Sequence, residues 1–587
     1  MIEGKQKELL DMLASGEPYV LVEAPAGTGK TFCCIQAAKC LCDNNMLLPF
    51  QKALVLTFSR NARAQLIKEL SKIPAESPIH KQININNYHS FFKKYLDAYR
   101  DIIGIKKPLS IIDNDDFIEL LYDYANNESI ALREGLEAEI LDDYLNDGGT
   151  LTLLNQESKN KRIGNDAIAK FLDTASQFTQ VSGYICFAQF GNLVCQMLNT
   201  STQMAKAISH DYPLLILDEY QDTNYYQEQF VKQVLKSSKG IFFADEWQMI
   251  YGFRGSTADR LNELPVIYTS IKKLVFTDYY RYKDKPDLIA ILKAIRANSK
   301  LDYSELANGS LIPCRVACDD NWQNIKGKSH TAQCTLFCSG VFYSTIKIVI
   351  SLLKQNKSVA ILCRRNNVAN RLTEVFFENN MHPRTVSDTP EMSRISKQIK
   401  RCLEPVELQQ KIPALLSIAA LCTMNRKIDG EDVSMLSMYD SRTLSRKRKP
   451  ILSQIWLVIK PYLTSTNIAD CWVLLTQIIT ILVSQESVTI NYARKRYVEH
   501  CTRSKELTPN LIDNIMMQRQ YIDSFTNINP GLYITTIHQS KGKEFDCVFV
   551  VDIDDVIKDA NLLYVSHSRM KERLYPIKAQ YKGVSYR

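Results

Sequence analysis

The sequence predicts an α/β protein in which parallel sheets are covered by helices and interrupted by two long helical stretches. Three observations predict this class. A buried-strand pattern, Tyr19–Val20–Leu21–Val22, passes through a glycine loop into a helical pattern at Thr31–Cys42. Short apolar runs then alternate with helical patterns, the order expected of a parallel sheet whose crossovers are helices. The alternation lapses twice, over about 92–213 and about 397–523, where helical periodicity takes over.

The elements follow in order. Gln6 precedes a short helical pattern, Lys7–Ala14; a side-chain amide there can donate to and accept from an adenine edge. Ala24, Pro25, Ala26, Gly27, Thr28, Gly29, Lys30 and Thr31 fit the phosphate-loop pattern, with Ala24 where the first glycine usually stands. Gly27 and Gly29 let the backbone curl so that its N–H groups face one cavity, and the helix N-terminus adds partial positive charge. Lys30 would reach the β- and γ-phosphates, and the Thr31 hydroxyl would hold Mg²⁺.

Lys52–Thr57 reads as a second strand running into a helix opened by Phe58, and Gln82–Ile85 as a strand leading to Tyr88 and His89. Residues 111–148 hold twelve acids against one base, Arg133. Such a stretch does not grip nucleic-acid phosphates and reads as a solvated helical face. Leu214–Leu217 is a buried strand ending in Asp218 and Glu219. An acid pair at a strand end downstream of a phosphate loop suits metal chemistry: Asp218 would hold Mg²⁺ and Glu219 would orient and deprotonate a water. Gly240–Ala244 is the next strand, and Gln248 just beyond it is placed to sense a γ-phosphate. Phe253 and Arg254 form an aromatic–cation pair of the kind that binds single strands without regard to sequence. Leu274–Thr277 precedes Asp278–Tyr279–Tyr280–Arg281.

In the second half, the opening to about Pro313 is helical, Thr335–Cys338 and Val359–Leu362 read as strands, and Arg364 and Arg365 follow the latter. Two basic clusters, Arg442 with Arg446–Lys449 and Arg494–Arg496, suit either a duplex-contacting surface or a solvated loop. Leu532–Thr536 is a strand, Gly542 suits a tight turn, and Cys547–Val551 is a core strand. Leu562–Arg573 carries Arg569, with Arg573 one turn later facing solvent or an acid.

Composition sets the frame. A chain of 587 residues with net charge +8 is too long for one core and only locally basic. No apolar run approaches the roughly 18 residues of a membrane span, and the charged N-terminus is not a signal peptide. The sixteen cysteines therefore read as reduced, buried thiols of a cytoplasmic protein. Cys314, Cys318, Cys334 and Cys338 could be combined into a zinc site, but each pair has three intervening residues where two are usual.

LVEAPAGTGKT, LTFSRNA, DEYQDTN, DEWQMIYGFRGS, DYYRYKD, TTIHQSKGKEFD and LLYVSHSRMKERL, in this order, resemble the ordered motifs of UvrD/PcrA/Rep-type superfamily-one DNA helicases. The resemblance implies two RecA-like domains, 1–91 with 206–281 and 282–395 with 526–587, carrying helical insertions at 92–205 and 396–525. It implies ATP in the cleft between them and single-stranded DNA across their top. Tyr280 would stack on adenine, Arg281 would touch the γ-phosphate, Glu544 would bond the ribose, and Arg569 would be the arginine finger. Thr57, Phe58, His89, Phe253 and Arg254 on the first domain, and Arg364, Thr536 and His538 on the second, would contact DNA. Arg365 would serve as well as Arg364.

The implied function is an ATP- and Mg²⁺-dependent motor moving 3′-to-5′ on single strands and at single-strand/duplex junctions, acting in repair. The alternative is a motor or nucleotide-sensing subunit that regulates a partner nuclease, as in Gabija-like phage defence. The departures from the family pattern are Phe32 for an arginine, Phe253 for a tryptophan, a shorter second insertion, and only about eighteen residues beyond Arg569.

Overall fold

The computed structural model describes residues 3–112, 114–132, 165–250, 259–299, 312, 314–315, 330–385, 389–423, 450–484, 490, 492–502, 507–512 and 529–578. The chain divides into two compact units, 1–284 and 285–587.

The first unit is built on six strands: β1 (Tyr19–Glu23), β2 (Ala53–Thr57), β3 (Ile83–Asn87), β4 (Leu214–Leu217), β5 (Lys239–Ala244) and β6 (Lys272–Val275). They lie in the order β3-β2-β4-β5-β1-β6, and every pairing is parallel. The inner strands are buried along nearly their whole length, whereas the edge strands β3 and β6 are only partly buried. This is the signature of a sheet covered on both faces. Alternation within each strand sends Val20, Val55, Ile216 and Phe243 to one face, against the helices Gly4–Ala14 and Lys30–Asp43. Leu21, Leu56, Leu217 and Phe242 go to the other, against Tyr88, Phe91 and Phe92. Cys33, Cys34, Ala37 and Ala38 are all buried, so the helix after the glycine loop presents small side chains to the sheet and can lie close to it.

The helices Phe190–Thr200 and Thr202–Asp211 place Phe190, Leu193, Leu198 and Ile208 in that second face's core. These helices, placed in the insertion 92–205 by the sequence, pack on the layer covering the sheet. A separate small core joins Phe117, Leu121, Phe171 and Phe178. Residues 113 and 133–148 of the acidic stretch lie outside the described residues.

The second unit has β7 (Cys314–Arg315), β8 (Ser358–Cys363), β9 (Arg384–Thr385), β10 (Gly531–Thr536), β11 (Phe545–Val550) and β12 (Met570–Lys578). Their order is β9-β10-β8-β11-β12-β7, again all parallel. A helical group, including Leu408–Thr423 and Ile468–Val483, has its own core of Ile412, Leu415, Leu474 and Ile478.

Three expectations are corrected here. Thr335–Cys338 is not a strand but part of the helix His330–Lys354. Phe337, Cys338, Val341, Phe342, Val349 and Leu352 form one buried face at helical spacing, and four residues are too few to tell the two periods apart. Within that helix Phe337–Lys354, with mean hydropathy 1.4, is long and apolar enough to cross a membrane by length and composition, where no such run was expected. Its buried face lies in the core of the second sheet. Finally, Arg573 is not one helical turn beyond Arg569. The helix Ala560–His567 ends, and Arg573 sits on β12, where its side chain bonds Tyr575.

Cys314 lies on β7 and Cys338 is buried in a helix, with Cys318 and the Cys334 side chain outside the described residues. No group of three metal-ligating side chains occurs among the described residues. Arg494 donates to the Leu421 carbonyl at 2.9 Å, near the end of Leu408–Thr423, where a cation complements the helix dipole. Arg442 and Arg446–Lys449 lie outside the described residues.

Candidate functional site

The carboxyl ends of β1, β4 and β5 lie side by side in the first sheet, and each hands the chain to a polar loop. Ligands of open parallel sheets bind at such strand ends. Beyond β1, Ala24 N–H still pairs with Ala244 O at 2.9 Å, and then the backbone turns. Gly27 and Gly29 have φ of 87° and 84°, which side-chain-bearing residues seldom adopt. Space forbids a side chain too: a Cβ on Gly27 would lie 2.9 Å from the Tyr282 ring, and one on Gly29 would lie 2.6 Å from Gln6 Nε2. The helix starting at Lys30 has no side-chain cap, so its first N–H groups are offered to a ligand.

Gln6, Tyr280 and Arg281 lie around this loop. Gln6 is buried and donates to Thr28 O at 3.0 Å. The Tyr280 ring is 47% exposed, and its edge lies 3.5 Å from the Gly29 Cβ position. Arg281 N–H donates to Gly27 O at 3.1 Å. Thr28 is buried and its hydroxyl donates to Pro25 O, bracing the turn. Ala24 and Ala26 are buried as well. Phe32 is partly buried and packs against the sheet core.

Beyond β4, Asp218 and Glu219 converge on Lys30. The ammonium bonds Glu219 Oε1 and lies 3.9 Å from Asp218 Oδ1. Burial opposes charge on Lys30, but Glu219 and Asp218 more than reverse this and hold its pKa above the ordinary lysine value. The Asp218 carboxyl is pushed up by burial, and Lys30 and Thr57 only partly oppose the shift. Asp218 Oδ1 is buried without a hydrogen-bond partner among the described residues. A buried carboxylate oxygen left so is an acceptor in want of a cation. The Asp218 carboxylate and the hydroxyl of Thr31, next to Lys30 in the chain, are the oxygen donors that Mg²⁺ takes, so these residues fit the ion.

Glu219 has φ 53° and ψ 44°, a left-handed conformation that costs a non-glycine residue about 1–3 kcal/mol. Its second oxygen accepts from Gln221 Nε2. Gln221 Oε1 in turn accepts Asp245 N–H at 3.1 Å, and Asp245 Oδ2 accepts from Gln248 Nε2 at 2.9 Å. Gln248, named from the sequence, is therefore joined to Glu219 through Gln221 and Asp245, two residues that sequence reasoning missed. Both lie inside the quoted motifs, and Gln221 stands two positions past the acid pair.

The nucleic-acid residues divide. His89 and Phe58 are half-buried, and His89 lies 5.9 Å from the rings of both Phe187 and Phe190. Thr57, expected at the DNA strand, is fully buried and its hydroxyl donates to Asp218 Oδ2 at 3.3 Å, so it also braces the acid pair. Phe253 and Arg254 lie outside the described residues.

In the second unit, Arg364 lies 3.3 Å and Arg365 3.6 Å from the Asp555 carboxylate, with Lys558 at 3.1 Å. Thr536, expected at the DNA strand, ends β10. It is buried, and its hydroxyl accepts from Gln539 N–H as a helix cap. His538 and Glu544 are half-buried. Arg569 is 4% exposed; it donates to Val565 O at 3.0 Å, Ser568 Oγ at 2.7 Å and Lys543 O at 3.5 Å.

Beside it, His567 is fully buried, bonded to Ser566 Oγ and to the Leu563 backbone. Burial pushes its pKa down to about 3, so it folds neutral. In the unfolded chain it binds a proton below about 6.5. The stability it lends is present above that pH and is lost as pH falls toward 3, with a slope of about 1.4 kcal/mol per pH unit. Acid-denaturation curves of His567→Phe should lose this slope; an unchanged slope would mean the imidazole is solvated.

Residues 5–268 match the UvrD/REP helicase N-terminal domain, and residues 531–576 match the UvrD-like helicase C-terminal domain. The chain is 20% identical to the "Probable DNA helicase II homolog" of Mycoplasma pneumoniae, over 97% of this chain and 83% of that protein. It is 25% identical to the "ATP-dependent DNA helicase PcrA" of Staphylococcus aureus, over 50% of this chain and 40% of that protein. A further match, 22% identical, is the "Probable DNA helicase II homolog" of Mycoplasma genitalium, over 48% of this chain and 41% of that protein. Two matching domains, and the meeting of Lys30, Asp218 and Glu219 at the ends of parallel strands, lead to one conclusion: the chain belongs to the UvrD/PcrA/Rep family of superfamily-one DNA helicases.

Proposed function

We propose that this chain is an ATP-driven motor that steps 3′-to-5′ along single-stranded DNA and separates strands at junctions. The observation that carries the reading is the meeting of Lys30, Asp218 and Glu219 at the strand ends beside an uncapped glycine loop. Lys30 and the loop N–H groups bind the β- and γ-phosphates. Tyr280 and Gln6 hold the base, Glu544 the ribose. Glu219 takes the proton of the attacking water, and Gln248 and Arg281 respond to the γ-phosphate. Thr31 and Asp218 would hold Mg²⁺, which when bound neutralises phosphate charge. Arg569, from the second unit, stabilises charge in the transition state. His89, Phe58 and His538 contact the strand, with Phe253 and Arg254.

Unwinding of a 3′-tailed duplex by the purified chain tests this reading. Strand separation that needs ATP and the 3′ tail is the expected result. A chain that hydrolyses ATP yet unwinds only when a nuclease copurifies with it would favour the regulatory role instead.

Arg364 makes a second, quantitative test. Asp555 competes with DNA phosphate for Arg364 and Arg365. Asp555→Asn should tighten single-strand binding and steepen its salt dependence by about 0.7 in log–log slope for each further phosphate neutralised. An unchanged slope would remove Arg364 and Arg365 from the DNA path.

A further inference from the structure

We propose that Gln221 is the positioning residue for Glu219 and ties that carboxylate to the loop bearing Gln248. The inference rests on the reading of Glu219 as the base and Gln248 as the γ-phosphate sensor. The geometry is specific. Gln221 is 1% exposed, and both ends of its amide are engaged: Nε2 donates to Glu219 Oε2, and Oε1 accepts from Asp245 N–H at 3.1 Å. Asp245 is itself fully buried and holds Gln248 Nε2 through one carboxylate oxygen and Trp247 N–H through the other. A buried amide fixed at both ends has one orientation.

Glu219 needs such a hold. Its backbone is left-handed, and one carboxylate oxygen is already bonded to Lys30. Gln221 holds the second oxygen, so the carboxylate keeps that contact when Lys30 turns to a phosphate. A base displaced by about 1 Å loses roughly a hundred-fold in rate even though it is present. Movement of Gln248 with the γ-phosphate would pass through Asp245 and Gln221 to the same carboxylate. Gln221 touches no substrate, so its effect falls on turnover rather than on binding.

Two variants test this. Gln221→Met removes both bonds. Gln221→Glu keeps an acceptor for Asp245 N–H but replaces donation to Glu219 by repulsion. Steady-state hydrolysis of ATP, with and without a single-stranded oligonucleotide, should show kcat down about a hundred-fold in both variants. KM for ATP and the affinity for a fluorescent ATP analogue should stay within about three-fold, because no ground-state contact is removed. Normal turnover by Gln221→Glu would overturn the proposal, since the acceptor alone would then suffice. So would a loss of nucleotide affinity in step with kcat, which is what a merely structural role produces. Glu219→Gln run alongside separates the two claims. If it turns over normally the base assignment fails; if it is dead while both Gln221 variants are normal, only the positioning role fails.

Discussion

Glu219→Gln should lower ATP turnover by about a thousand-fold while ATP still binds, because general-base removal costs typically 10²–10⁴. The substitution is nearly isosteric. Its amide oxygen can still accept from Lys30, and Asp218 remains 3.9 Å from the ammonium, so the lysine keeps an anionic neighbour. What is lost is the ability to take a proton, together with the acceptor for Gln221 Nε2. Lys30→Ala should fail differently. It removes the cation that two buried or half-buried carboxylates share, and it removes a phosphate ligand, so affinity falls together with rate. Nucleotide-binding titrations beside single-turnover hydrolysis distinguish the two. Near-normal hydrolysis by Glu219→Gln would move the base elsewhere.

Arg569→Ala should cost on the order of a thousand-fold in kcat, the low end of what an arginine finger contributes. The present geometry sharpens that expectation. The guanidinium is buried and bonded to Val565 O, Ser568 Oγ and Lys543 O. Arg569→Lys keeps a positive charge but cannot hold the backbone and a phosphate at once, so it should also be slow. Thermal melting of both variants measures the structural share of the loss. If kcat and DNA affinity are normal in Arg569→Ala and only the melting point falls, the arginine is a packing residue.

Much of the parallel-sheet architecture could be read from residues. The inner strands β2, β4, β5 and β8 are continuous apolar runs because both faces are covered, and such runs stand out. The glycine loop was legible because only glycine fits φ near +85° against Tyr282 and Gln6. Elements whose period is short or hidden were less so. Thr335–Cys338 is four residues long with three of them apolar, which suits either a strand or a buried helix, and the longer helix wins through its packing. Likewise the strand at Met570–Lys578 mixes charge and apolar residues and follows directly on a helix. In the site, Lys30, Asp218 and Gln248 could be named from spacing, but Gln221 and the true partner of Thr57 could not. Their roles depend on which strand ends become neighbours, and β4 and β5 meet only through the sheet order.

The most direct test is the rate of ATP hydrolysis by the purified chain as a single-stranded oligonucleotide is added. A motor whose nucleotide and strand sites are coupled should be stimulated about ten-fold or more, with Lys30→Ala silent throughout. Hydrolysis at one rate whether or not the strand is present would contradict the account.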